Sequence, residues 1–198
     1  MTKVVFDIST SLDGCITAAN VRADEPTGDG GERLHEWASG DDERSNELLA
    51  EAAKGLGAVI CGRNTYDHSV PWWGADGPTV PARKPVFVVT HSEPEEQPET
   101  GVYTFVTHGI GRALEEASGA ADGRTVTVMG GADLGRQFIT AGLVDEISLH
   151  IVPGLSVVAS GCSTSGGRAH PARGDRRGYA GGHSHALPGC EVGRTCPG

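Results

Sequence analysis

The stretch Thr125-Val-Thr-Val-Met-Gly-Gly-Ala-Asp-Leu-Gly-Arg-Gln-Phe-Ile139 constrains this chain more than any other. An apolar strand over 125–129 runs straight into paired glycines and then into a helical apolar spacing. Gly130 and Gly131 lack a Cβ, so their backbone can take positive φ and approach a ligand closely. A helix starting behind them turns its unpaired N–H groups and the positive end of its dipole toward that turn. Such a turn suits a phosphate or pyrophosphate. An ordinary tight strand-to-helix connection has the same look, so this run alone leaves both readings open.

At 198 residues, the chain can build one domain with a sizeable core. Its net charge of −10 speaks against nucleic acid as a partner. No run approaches the length of a membrane span, so no membrane partner is expected. Met1-Thr-Lys-Val-Val-Phe-Asp7 lacks the long apolar segment of a signal peptide, and the expected compartment is the cytoplasm. The five cysteines, Cys15, Cys61, Cys162, Cys190 and Cys196, form no Cys-x-x-Cys pair. Neither a metal site nor a disulfide framework is expected.

Strands and helices alternate along the first three quarters of the chain. Strands are expected over 3–10, 58–61, 85–90, 102–106, 125–129 and 145–152. A helix is expected from about Asp41 to Ala53, with Leu48, Leu49, Ala52, Ala53 and Leu56 on its apolar face. A second carries Ile110, Ala113, Leu114 and Ala117, and a third carries Leu134 and Phe138. Residues 20–33 and 67–84 read as polar or Pro-rich loops. In the last strand Ile147, Leu149 and Ile151 alternate with Glu146, Ser148 and His150, which predicts that the apolar set is buried. This order of elements gives an α/β class with a mainly parallel sheet.

Two further strand ends carry suitable chemistry. Cys61-Gly-Arg-Asn-Thr-Tyr66 again places a glycine before a helical turn, where Arg63 could fork onto a phosphate and Thr65 could donate its hydroxyl. A solvated arginine and a helix-capping threonine would read the same way. Thr90 and His91 end a buried strand on the edge where ligands of open α/β sheets collect. Trp37, Trp72 and Trp73 could wall a substrate cleft or serve as packing anchors. His35, His68 and His91 are expected to be solvated.

Ser11-Leu-Asp-Gly14, Gly62-Arg-Asn-Thr-Tyr66, Val88-Val-Thr-His91 and Val128-Met-Gly-Gly131 with Leu143-Val-Asp-Glu-Ile147 stand in the order seen in the dihydrofolate reductase superfamily. Over residues 3–153 the chain most resembles stand-alone relatives of the reductase domain of the bifunctional riboflavin-biosynthesis deaminase–reductase. The resemblance implies a three-layer fold whose mainly parallel central sheet has helices on both faces and ends in antiparallel strands. It implies an NADPH-dependent reductase acting on a small polar substrate, such as a riboflavin-pathway ribosylaminopyrimidine, and a homodimer.

Carried over by position, Arg63 would bind the ribose 2′-phosphate, with Gly62 and Thr65 on one side of the pyrophosphate. Gly130, Gly131, Ala132 and Leu134 would hold its other side, and Thr90 and His91 would line the adenosine end. Ile16 and Thr17 would pass the nicotinamide. Asp13 would orient the substrate or relay a proton through water, although a turn aspartate bonded to its own backbone is the alternative. Dihydrofolate reductase itself is a rival reading, but neither Glu43 nor Glu47 takes a motif position for its catalytic carboxylate. A nucleotide-binding protein without catalysis, or a damaged pseudoenzyme, is a rival of another class. The H-x-E…P-C-x-x-C pattern of zinc deaminases is absent from the sequence.

The reductase domain is expected to span 1–153. From Gly154 the sequence holds 11 of the 30 glycines and three of the five cysteines, and its five arginines outnumber two acids. Both periodicities stop there. The family resemblance calls instead for a Gly-Gly loop, a Leu-Phe segment and terminal antiparallel strands. One codon choice for Cys162-Ser-Thr-Ser165 gives a Leu-Phe segment in the neighbouring frame, so residues 154–198 are expected to be a frameshift product. A disordered extension is the alternative. Loss of those strands would expose a sheet edge unless Leu155–Ala159 rebuilt part of it.

Overall fold

The apolar runs of the sequence pair side by side in one sheet. The computed structural model describes residues 2–154 apart from Ala23. In chain order these form β1 (Val4–Ser11), a 3-10 turn (Gly31–Leu34), α1 (Glu36–Ser39), α2 (Glu43–Gly55), β2 (Leu56–Gly62) and α3 (Arg63–Trp73). A second 3-10 turn (Gly74–Asp76), β3 (Val86–Val89), β4 (Tyr103–Val106), α4 (Gly109–Ala121), β5 (Thr125–Met129), α5 (Ala132–Thr140) and β6 (Glu146–Val152) follow. The described strands make one six-stranded sheet in the order β4-β3-β2-β5-β1-β6. Every pairing in it is parallel. The expected antiparallel strands, the tail after Gly154 and the frameshift question lie outside the described residues.

Burial on both faces explains why the central strands read as unbroken apolar runs. Ala58 and Ile60 of β2 face α4 and α5, in a cluster with Phe6, Val126, Val128, Ala113, Ala117 and Phe138. Val59 and Cys61 face the other way, onto Tyr66, Val86 and Val88, with Val70 and Trp73 alongside. Burying each such side chain is worth roughly 1.5–3 kcal/mol. Ala113, Ala117 and Ala121 are fully buried, so one stripe of α4 lies directly on the sheet.

Gly135 permits the corresponding approach of α5. A Cβ built there would lie 2.3 Å from Cζ of Phe6, so the helix backbone rests on the phenyl ring of β1. Asp145 ties the start of β1 to β6: its carboxylate accepts from the Val4 amide at 2.8 Å, and its own amide donates to the Val4 carbonyl at 2.9 Å. This is a structural task for the Leu143-Val-Asp-Glu-Ile147 motif.

Three expectations need correction. Residues 67–73 are helix, not loop, despite Pro71 inside α3. Tyr66, Val70 and Trp73 recur at helical spacing and pack against the sheet, and that burial overrides the breaker. Leu56 opens β2 instead of ending a helix, and α2 has no buried residue, with Leu48 53% exposed. Its N-terminus is nonetheless capped, the Asp42 carboxylate accepting from the Ser45 amide at 2.7 Å. Finally, the alternation in β6 is real but its sense is reversed. Ile147, Leu149 and Ile151 are exposed while Ser148 and His150 are half-buried. β6 is an edge strand among the described residues, and no described helix covers its apolar side.

Two stability predictions follow from this packing. Gly135→Ala adds a methyl inside the Phe6 contact, which costs about 1–3 kcal/mol by overpacking. Helix propensity returns at most about 1 kcal/mol, so urea unfolding should show net destabilisation; an unchanged midpoint would disprove the close contact. The Tyr66 hydroxyl is buried without a hydrogen-bond partner among the described residues, and its ring meets Tyr103 and Phe105 edge-on, each at 5.0 Å. Tyr66→Phe keeps those ring contacts and removes an unsatisfied group. It should leave the melting temperature unchanged or raise it, and a fall of several degrees would show that the hydroxyl is bonded after all.

Candidate functional site

Two strand-to-helix turns meet at the C-terminal end of the sheet. Gly62 precedes α3 and Gly131 precedes α5, and neither helix start has a side-chain cap. Both therefore leave first-turn N–H groups for a ligand. Gly130 and Gly131 take φ of 68° and 58°, the left-handed region that glycine enters at little cost. Thr65 lies against them. A Cβ on Gly130 would stand 2.9 Å from Thr65 Cγ2, and one on Gly131 would stand 3.6 Å from Thr65 Oγ1. Only glycine lets the two turns close on each other in this way.

Arg63 spans from this junction to the end of β3. Its Nε donates to Asp67 at 2.7 Å, and its Nη1 donates to the Ser92 carbonyl at 2.8 Å and more weakly to Thr90 Oγ1 at 3.4 Å. The guanidinium is thus oriented from two sides, while Nη2 has no bond among the described residues. Thr90 is buried and donates to the Ser92 carbonyl at 2.7 Å, whereas His91 beside it is exposed. Ala132 opens α5. Leu134 is buried in the core, so only its backbone can serve a ligand. Asp133, the acid in that first turn, is directed away: hydrogen bonds from Arg136 and then Gln137 hold its carboxyl below the usual range.

These residues fit the cofactor that the sequence resemblance implies. The uncapped helix starts and the glycine–threonine cradle suit a pyrophosphate, and the open Nη2 edge of Arg63 suits a further phosphate. Gly62, Arg63, Thr65, Thr90, Gly130, Gly131 and Ala132 come together, and this is not the spacing of a Rossmann G-x-G-x-x-G turn.

The turn after β1 lies at the same end of the sheet. The Ser11 hydroxyl donates to Asp13 and accepts from the Cys15 amide at 2.9 Å, so the Asp13 carboxylate is held on its own turn and exposed. Ile16 is half-buried and Thr17 exposed in the loop beyond it. Cys61 offers no nucleophile, since burial pushes its thiol up to about 12. Among the described residues, no group of His, Cys, Asp and Glu could hold a metal ion, and no helix is long and apolar enough to cross a membrane.

A second cluster escaped the sequence reading. His150 of β6 lies 3.1 Å from the Asp7 carboxylate and 3.3 Å from the Ser148 hydroxyl, both measured at Nε2. Trp37 stacks on its ring with centroids 4.0 Å apart and planes at 20°. The Trp37 indole N–H donates to Ser9 at 3.0 Å. The available signal was the polar series Asp7, Ser9 and Ser11, which puts one hydrophilic face on a strand otherwise read as apolar. Of the three tryptophans, Trp72 is 70% exposed and Trp73 packs on the core, so only Trp37 stands in this cluster. A cleft of about 360 Å³ at Gln97–Gly101 and Tyr103 lies at the start of β4, away from the cradle.

A family model described as the RibD C-terminal domain matches residues 2–156. The chain belongs to that family. Its fold is also that of a riboflavin biosynthesis protein from Shewanella sp. PV-4, at 23% identity and a TM-score of 0.56, over 79% of this chain and 79% of that one. The deaminase/5-amino-6-(5-phosphoribosylamino)uracil reductase of Thermotoga maritima shares it at 15% identity and a TM-score of 0.50, over 79% of this chain and 46% of that one. RibD of Acinetobacter baumannii does so at 19% identity and a TM-score of 0.50, over 78% and 47%. At such identities the likeness is one of fold. No curated protein matches the chain.

The contact across the cradle can be measured directly. Gly130→Ala should destabilise the protein by about 1–2 kcal/mol through its left-handed φ, with a further loss from the Thr65 contact. In a double-mutant cycle, Thr65→Ser should relieve only the second part. Strict additivity of the two substitutions would show that the turns do not touch.

Proposed function

We propose that this chain is an NADPH-dependent reductase that transfers a hydride to a small polar substrate of the ribosylaminopyrimidine kind. The observation that carries this reading is the closure of two uncapped helix starts on each other, Thr65 against Gly130 and Gly131, with Arg63 oriented beside them. Membership of the RibD C-terminal family supports the reaction class. The Thermotoga maritima relative, a 5-amino-6-(5-phosphoribosylamino)uracil reductase by description, supports the substrate class.

In this reading the amides that open α3 and α5 hold the pyrophosphate, and the Thr65 hydroxyl donates to it. Arg63 Nη2 takes the 2′-phosphate, with Asp67 and the Ser92 carbonyl fixing the plane of the guanidinium. Thr90 and His91 line the adenosine end, and Ile16 and Thr17 pass the nicotinamide, which supplies the hydride when bound. Asp13 orients the substrate or passes a proton to it through water. The domain that does this spans residues 1–153, in the cytoplasm.

Arg63 makes the reading testable. Hydrogen bonds to a charged group are worth roughly 1.5–3 kcal/mol, so Arg63→Ala should weaken NADPH binding by ten- to a hundredfold in a fluorescence titration. NADH affinity should barely change. Equal binding of the two nucleotides by the unaltered protein, or no effect of the substitution, would overturn the cofactor assignment. NADPH oxidation with 5-amino-6-(5-phosphoribosylamino)uracil, and separately with dihydrofolate, then divides the substrate classes; binding without turnover of either favours a non-catalytic binder.

A further inference from the structure

Arg63 is the only lysine or arginine between Lys54 and Arg83, and residues 85–111 hold none. The segments that run past the paired ends of β2 and β3 therefore bring a single fixed cation to the cradle. They bring more carboxylates. Asp67 lies one turn along α3 from Arg63, and Glu93, Glu95 and Glu96 are exposed in the loop after Ser92. Of these acids, Asp67 is the one bonded to Arg63.

The guanidinium is a planar fork of five N–H groups, and its three nitrogens meet three different surroundings. Nε donates to Asp67 at 2.7 Å. Nη1 donates to the Ser92 carbonyl at 2.8 Å, with the Thr90 hydroxyl at 3.4 Å. Thr90 itself donates to that carbonyl at 2.7 Å, so the hold on Nη1 is made of neutral groups and is independent of Asp67. Nη2 stands between them and has no bond among the described residues. An anion received at Nη2 is thus flanked on the Nε side by the Asp67 carboxylate.

Asp67 has two opposed effects on such an anion. Its hydrogen bond helps to orient the guanidinium, and its charge repels a second negative group at the same head. The orienting effect is duplicated by Ser92 and Thr90, whereas nothing duplicates the repulsion. Folding does not depend on the pair. Arg63 and Asp67 are 31% and 43% exposed, an i,i+4 ion pair of the kind that contributes little to stability. Burial of Tyr66, Val70 and Trp73 holds α3 on the sheet.

We propose that Asp67 is a specificity-determining residue of this site, whose carboxylate limits the preference for a dinucleotide with a 2′-phosphate over one with a free ribose hydroxyl. A phosphate monoester carries about −1.5 to −2 charge at pH 7 and feels both members of the pair, drawn by Arg63 and opposed by Asp67. A neutral hydroxyl feels neither charge strongly. The ratio of the two affinities is therefore set by the pair and not by the arginine alone. This role rests on the reading of Arg63 as the 2′-phosphate ligand.

The test is a fluorescence titration of the full-length protein with NADPH and with NADH, for the unaltered chain and for Asp67→Asn. Asparagine keeps an oxygen acceptor for Arg63 Nε and removes the charge. NADPH should bind about three- to tenfold more tightly to Asp67→Asn, and NADH within about twofold of the unaltered protein. The gain should shrink between about 50 mM and about 500 mM NaCl, because exposed charges are screened. Unchanged or weaker NADPH binding, or equal tightening of NADH, would overturn the role. In the nucleotide-free protein the Arg63 ¹⁵Nε–H resonance should persist in Asp67→Asn. Its loss there together with weaker NADPH binding would show that Asp67 acts only by holding the guanidinium, which also overturns the role. Arg63→Ala is titrated in parallel. If it binds NADPH as the unaltered protein does, the cofactor reading fails and the Asp67 role with it. NADPH binding that depends on Arg63 but is unchanged by Asp67→Asn overturns the Asp67 role alone.

Discussion

The packing of α5 on Phe6 is the contact on which the rest of this structure depends. A helix backbone lying on an aromatic ring is possible only because Gly135 has no side chain, and it fixes the distance between α5 and β1. The N-terminus of α5 carries the Gly130–Gly131 turn, so the same contact sets where that turn stands above the sheet. β1 in turn sends Asp7, Ser9 and Ser11 to the opposite face. One glycine thus couples the position of the glycine–threonine cradle to that of the polar cluster behind it.

The parallel sheet supplies the remaining geometry. All six described strands end on the same side, so the residues following β2, β3 and β5 converge without any of them being adjacent in sequence. Arg63, Thr90 and Gly130 meet for this reason. The unequal ladders of β1 add a ledge beside the cradle, because β6 follows β1 to its end and β5 does not.

Among the described residues the same architecture leaves apolar side chains exposed. Ile147, Leu149 and Ile151 continue the plane of Phe6 and Ile8 past the last described helix, and α2 keeps Leu48 in solvent. Their alternation and helical spacing are those of buried faces. The polar partners on β6 are the ones that find contacts, because His150 and Ser148 share their face with Asp7 and Trp37 stacks on the His150 ring. Period alone identifies two faces of a strand; which one is covered depends on what lies across the sheet.

The sequence by itself determined the class of fold and the cradle. Uninterrupted apolar runs before glycines specify buried parallel strands that end along one edge of the sheet, and the Gly-Gly, Gly-Arg-x-Thr and Thr-His segments stand at that edge. Those signals are local, each carried within a few consecutive positions, and so they survive without coordinates. Tertiary structure alone decided the rest. Residues 67–73 became helix through burial of Tyr66, Val70 and Trp73, against the local bias of Pro71. The Asp7–His150–Trp37 cluster joins three segments separated by most of the domain. No periodicity encodes such a meeting, because it is created by strand order, and strand order is settled by the packing of the whole sheet.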